Sequence, residues 1–323
     1  MTLNLVYPEK SDLAYKISKF PDGQQNITIE GLVVRHLETR TSSGDDEIHK
    51  VGSTVFNRHI ETPVTISSRL NNWLHLEIIV ASVAALRELG FENISLHVPY
   101  IVGGRSDRKF EEGGNNYIKH IIAPVLNSLN FKSITTIDPH SDILEACLNN
   151  FRKKSNEELV KFAFSKIGDF DARNIDNDFV IISPDAGASK KIFKLAESID
   201  FTGDIITCTK DRDTNGKLTK TVVPDTWHWD KDKIIIDDIC DGGRTFINIA
   251  EIIKADPNNK GKIYLIVTHG IFSAGFSKLS EYFDGIYCTN SYSDLPKWKE
   301  EDGKIITSGL TKVPDFVTQL NVF

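Results

Sequence analysis

Long apolar runs are missing from this chain. No stretch reaches the roughly 18 residues needed to cross a bilayer, so a membrane-spanning protein is not expected. Cysteine is scarce: Cys147, Cys208, Cys240 and Cys288 lie far apart, with neither CxxC nor knuckle spacing. That excludes a zinc ribbon and a disulfide scaffold and leaves reduced thiols. An excess of positive charge is also lacking. With 38 Lys and Arg against 45 Asp and Glu, the net charge is −7, a poor match to a protein that holds nucleic acid by general phosphate neutralisation. Any phosphate chemistry must therefore use local cations. The first residues, MTLNLVYPEKSD, lack the apolar centre of a signal peptide, and a cytoplasmic protein that binds neither membrane nor nucleic acid is the expectation.

What is present is ordinary globular material, 40% apolar and 26% charged. The 323 residues suggest two domains, at about 100–200 residues per domain. Short apolar runs followed by amphipathic stretches recur along the chain, the pattern of an α/β protein with mostly parallel sheets. From Asn72, the residues Leu74, Ile78, Ala81, Ala85 and Leu89 fall at helical spacing before Gly90. A strand over Ile94–Tyr100, a polar glycine-bearing loop, a helix over Tyr117–Leu129, and the strand and turn SITTIDPHSD follow. After the charged segment FRKKSNEE a second series opens, with strands FVIISP, DIITCT, KIIIDD, KIYLIVT and GIYCT. The two halves, 1–152 and 153–323, read as a duplicated α/β unit. The polar segment Glu38–Ile60 reads as a long loop or hairpin.

The most informative stretch is KIIIDDICDGGRTFINIAEIIK. Three apolar residues lead into Asp237 and Asp238, a tight turn follows over Asp241, Gly242, Gly243, Arg244 and Thr245, and a helix opens with Thr245 as its cap by residue type. Amides at such a strand-to-helix turn face outward with the positive end of the helix dipole, which suits a phosphate. Paired acids at a strand end suit sugar hydroxyls or a hydrated magnesium ion. Alone, DD or DGG describes an acidic turn before a capped helix equally well. The combination, set between a buried strand and an amphipathic helix, favours the phosphate site.

IIIDDICDGGRT resembles the phosphoribosyl-binding motif shared by type I phosphoribosyltransferases and ribose-phosphate pyrophosphokinases. Further matches favour the second group. VPYIVGGRSDRKF resembles its nucleotide-binding stretch, with Arg105, Asp107, Arg108 and Lys109 in register. TTIDPHSD resembles its metal-binding histidine turn at His140, and IISPDAGASK its second acid turn at Asp185. CTKDRD puts Lys210 and Arg212 on its mobile catalytic loop, FPDG at Phe20 resembles its adenine-binding motif, and THGIFS its late strand turn. The matches run in the family's order over nearly the whole chain.

The resemblance implies two tandem phosphoribosyltransferase-like domains and transfer of the β,γ-diphosphoryl group of ATP to a ribose 1-hydroxyl, with release of AMP. It implies Lys210 and Arg212 as stabilisers of transferring charge, His140 and Asp185 as ligands of Mg2+, and Phe20, Asp22, Gln24, Arg105, Asp107 and Arg108 as the ATP site. Phe20 reads equally as a core aromatic, and Asp107 with Arg108 as a local ion pair. The partners implied are ATP, a ribose-phosphate acceptor and further copies of the chain in a homo-oligomer. The chain departs from the family at Gly242 and Arg244, where threonine and glycine are usual, at Gln24 for glutamate, and at Ser106 for glutamine. Arginine in the phosphate turn leaves the acceptor open between ribose 5-phosphate and an extended derivative such as ADP-ribose. Two rivals remain: a phosphoribosyltransferase acting on a nucleobase or nicotinamide, and a non-catalytic regulatory subunit of a synthetase.

Overall fold

The computed structural model describes residues 63–88, 91–109, 111–167, 175–212, 218–224, 230–295 and 316–323, with four short strands nearer the amino terminus. The chain divides into two compact units, Met1–Lys154 with Phe323, and Ser155–Val322. Among the described residues each unit carries a six-stranded sheet flanked by helices.

In the first unit the short strands are β1 (Thr2–Leu3), β2 (Leu5–Val6), β3 (Lys16–Ile17) and β4 (Ile27–Glu30). Then come β5 (Val64–Ser68), α1 (Trp73–Glu88), β6 (Ile94–His97), a π-helical turn over Ile118–Ile122 leading into α2 (Ala123–Ser128), β7 (Ile134–Ile137), α3 (Ile143–Cys147) and β8 (Phe151–Lys154). The sheet order is β1-β4-β5-β6-β7-β8, parallel from β5 to β8 with β1 and β4 antiparallel at one edge.

Helix α1 starts where the sequence pattern puts it, because the Asn72 side chain accepts the His75 amide at 3.0 Å and caps the first turn. Its buried face differs. Ile78 is buried as expected, but Leu74 is 49% exposed, and the core is also met by Leu76, Ile79, Val83 and Leu86. The helix is apolar on most sides, so helical spacing alone admits more than one stripe, and packing on the sheet selects among them. The expected strand to Tyr100 is shorter, since Pro99 has no amide to donate. The FRKK of the charged segment between the two series is strand β8 itself, at the sheet edge where exposed lysines discourage further pairing.

The second unit runs α4 (Glu157–Ile167), α5 (Ile175–Asp178), β9 (Phe179–Ser183), α6 (Ala186–Ser198), β10 (Ile205–Thr207), β11 (Thr209–Arg212), β12 (Leu218–Val222), β13 (Asp232–Cys240), α7 (Arg244–Ala255), β14 (Ile263–Gly270), α8 (Leu279–Tyr282), β15 (Gly285–Thr289) and β16 (Val317–Leu320). Its sheet, β10-β9-β13-β14-β15-β16, is parallel throughout. Strands covered on both faces read as continuous apolar runs, as Ile234–Ile236 and Ile263–Val267 do. One layer packs Phe246, Ile249, Ala250 and Ile253 of α7 beneath the sheet, and another packs Ile192, Leu195 and Ala196 of α6 with Leu159 and Val160 of α4. Among the described residues no helix is long and apolar enough to cross a membrane.

Candidate functional site

Parallel strands end together, so the turns that follow them gather at one edge of each sheet, where open α/β sheets bind their ligands. In the first unit that edge carries the loop after β6 and the turn after β7. The loop is folded back on itself: Ser106 donates its amide to the Gly103 carbonyl at 2.7 Å, and the Asn116 side chain donates to the Asp107 carbonyl. Gly103 has φ 74°, and a β-carbon there would run into the Tyr117 ring, so only glycine closes this turn. Arg105 and Arg108 are exposed on the loop and Asp107 is half-buried. His140 is exposed in the turn after β7. It is preceded by Asp138, which is buried at φ 41° with its amide bonded to the Lys154 carbonyl at 2.8 Å.

In the second unit, β9 delivers Asp185 to the start of α6. Its carboxylate accepts the Ala188 amide at 3.0 Å, so one oxygen caps the helix. Ser189, one turn on, shares a hydrogen bond with Thr207 at 3.0 Å and fixes α6 against the end of β10. β13 carries the paired acids. The Asp237 carboxylate accepts the Asp238 amide at 2.9 Å, and Asp238, nearly buried, binds the Lys191 amine of α6 at 2.9 Å. Beyond them Gly243 adopts φ 77° and accepts the first helical bond of α7, from the Ile247 amide at 3.0 Å. Helix geometry leaves the amides of that first turn, at Arg244 and Thr245, without carbonyl partners inside the helix, as an anion site requires. Arg244 and Gly242 are exposed, and Asp241 and Thr245 half-buried.

The turn after β14 is stitched to this one. Ile271 and Phe272 donate to the Cys240 carbonyl at 2.9 and 3.1 Å, and the Ser273 hydroxyl donates to the Asp241 carboxylate at 2.5 Å. Burial pushes up the thiol pKa of Cys240, and that of Cys288 up to about 12, so both sulfurs stay protonated and neither offers a nucleophile.

Lys210 and Arg212 are not in an open loop. Their backbones form β11, which pairs antiparallel with β12, Lys210 opposite Thr221 and Arg212 opposite Leu218. The rest of the expected loop, 213–217, lies outside the described residues, as do Phe20, Asp22, Gln24 and the segment Glu38–Ile60. Two participants went unnoticed in the sequence, Lys191 and Ser273. Each sits among residues of its own kind on an exposed surface, and only the neighbouring turn marks it out.

No group of three or more His, Cys, Asp or Glu side chains that could hold a metal ion occurs among the described residues. Magnesium does not need one, since it keeps several waters and takes one or two carboxylates plus substrate phosphates. Asp185 suits that use.

No protein-family model matches the chain. It is 30% identical over 283 residues to a ribose-phosphate pyrophosphokinase of Mycoplasmopsis pulmonis, spanning 85% of this chain and 84% of that protein. It is 26% identical over 301 residues to one of Thermosipho africanus, spanning 86% and 88%. Its fold is similar to that of phosphoribosylpyrophosphate synthetase from Mycobacterium smegmatis, with a TM-score of 0.59 and 21% identity over 80% of this chain and 77% of that one.

Proposed function

We infer the details of the reaction from one premise: the chain belongs to the ribose-phosphate pyrophosphokinase family. It is a diphosphokinase with tandem phosphoribosyltransferase-like units. The finer reading is ours. The acceptor's ribose 1-hydroxyl oxygen attacks the β-phosphorus of ATP, and the bond from that phosphorus to the α,β-bridging oxygen breaks. That oxygen leaves with AMP, and the hydroxyl proton passes to solvent.

The single observation that carries this reading is the β13 turn. Paired acids, a left-handed Gly243 and the open first turn of α7 stand in sequence at the ligand-binding edge of the sheet. Asp237 and Asp238 serve the ribose hydroxyls, and Asp241–Thr245 the acceptor phosphate. Lys210 and Arg212 stabilise the charge that builds on the transferring group. Phe20, Asp22 and Gln24 hold adenine, and Arg105, Asp107 and Arg108 the rest of the nucleotide. His140 in the first unit and Asp185 in the second would each serve as a ligand of Mg2+, which when bound would neutralise phosphate charge.

Arg244 supports a second reading of the acceptor. It is an exposed cation at the mouth of the phosphate turn, and a diphosphate such as that of ADP-ribose would use it. The enzyme works in the cytoplasm as a homo-oligomer, on small molecules alone. The test is incubation with ATP, magnesium and either ribose 5-phosphate or ADP-ribose, with products identified by mass. One AMP per diphosphorylated acceptor is expected. ADP formation, or AMP and pyrophosphate with an unchanged acceptor, would overturn the reading.

A further inference from the structure

Strand geometry separates the two acids of β13. Side chains alternate between faces, and Ile234 and Ile236 pack in the layer that holds Ile192 and Leu195 of α6, whereas Ile235 packs in the layer of α7. Continued to the strand end, the alternation turns Asp238 toward α6 and Asp237 toward α7. The two carboxylates, adjacent in sequence, therefore have different surroundings.

What Asp238 meets on the α6 side is Lys191. The amine lies 2.9 Å from Oδ2 of a carboxylate whose side chain is only 9% exposed, while the lysine side chain is 43% exposed. A carboxylate so removed from water requires a fixed counter-charge, and losing one partner of such a pair costs far more than losing an exposed ion pair. The lysine's backbone is itself well placed to fix it. Helix α6 is capped by Asp185, tied to β10 through Ser189 and Thr207, and anchored in the core by Ile192. Lys191 follows Asp185 by six residues, about 9 Å along the helix axis. One short helix thus ties the turn after β9 to the turn after β13.

We propose that Lys191 is a positioning residue for the acceptor sugar. By pairing with Oδ2 it holds the Asp238 carboxylate ionised and in one orientation beside the phosphate turn, and so sets how tightly the ribose is bound. Lys190 and Lys194, on the same helix, have no such part. This inference rests on the assignment of Asp238 to the ribose hydroxyls made above.

The test measures initial rates at saturating ATP and fixed magnesium with ribose 5-phosphate and with ADP-ribose, for wild type and for Lys191→Met, Lys191→Arg and Lys194→Met. Lys191→Met should raise the acceptor KM by about 10-fold, the loss expected for one charge-assisted hydrogen bond, with the KM for ATP within about 2-fold of wild type. Lys191→Arg should restore most of the loss, and Lys194→Met should match wild type. A role confined to stability would lower the amount of active enzyme and leave the acceptor KM alone. Should Lys191→Met not fold, Lys191→Gln keeps a neutral donor and should show the same KM effect. An unchanged acceptor KM in the neutral variants, or an arginine variant as impaired as they are, overturns the inference while leaving the proposed reaction standing. A wild type that modifies neither acceptor sinks both.

Discussion

Arg244 opens α7 where the family's usual loop has glycine, and its consequence is decided by charge and bulk in one turn. If it serves a second phosphate, wild type should favour ADP-ribose over ribose 5-phosphate in kcat/KM, and Arg244→Gly should reduce that preference by about 10-fold. Steady-state rates with both acceptors check it; a ratio that does not move assigns the side chain to solvent. His75, in the first turn of α1, is tunable by pH. Its pKa is lowered by burial and then by the nearby Arg69 charge, so the folded chain prefers the neutral ring. Below the ordinary value of 6.5 the unfolded chain takes up a proton that the folded one resists, and stability falls with pH until the lowered folded pKa is reached. The melting temperature of the first unit should accordingly drop between about pH 7 and pH 5, and His75→Leu should flatten that drop. Calorimetry across this range is the measurement, and an identical slope in the variant would refute the assignment. His75 was invisible as a special residue in the sequence, because its burial follows from which stripe of α1 meets the sheet.

At the scale of the element, the hairpin of β11 and β12 bears the clearest kinetic expectation. Lys210 and Arg212 are carried on a paired strand rather than on slack chain, so their backbones are ordered before substrate arrives. Interactions realised only while the diphosphoryl group is in transfer lower kcat more than they weaken ATP binding. Lys210→Ala and Arg212→Ala are each expected to cost about 10²-fold in kcat with a smaller change in the Kd for ATP, read by steady-state kinetics and calorimetric titration. Near-normal turnover in both would remove the hairpin from the mechanism. Composition alone reads KDRD as a solvated turn. The strand emerges because Thr209–Arg212 finds a partner in Leu218–Val222, which a local reading of KDRD does not include.

For the whole molecule, the adenine-binding motif at Phe20 and Asp22 matters most, since the family resemblance places it across a subunit contact. A homo-oligomer is therefore expected in solution scattering and in sedimentation, with closed symmetry the default. A monomer with full activity would contradict this. Interface variants that dissociate the assembly should lose ATP affinity together with oligomeric state.

The sequence by itself determined the class of each unit. Continuous β-branched runs such as KIIIDD and KIYLIVT can be stable only as strands covered on both faces, and the helices between them carry their apolar residues at helical spacing. It also located the turns that bear Asp185, His140, Asp238 and Arg244, because a strand followed by a polar turn and a helix is written in local chemistry; Thr245, expected to cap α7, does not, since Gly243 takes that position with no side-chain cap. Tertiary structure alone decided what those turns meet. The pairing of Asp238 with Lys191, the bond from Ser273 to Asp241, and the choice of buried face on α1 all join residues distant in sequence or settle a choice that periodicity leaves open. Such contacts depend on strand order and on which side of a sheet each helix covers, and neither is encoded in any one segment of the chain.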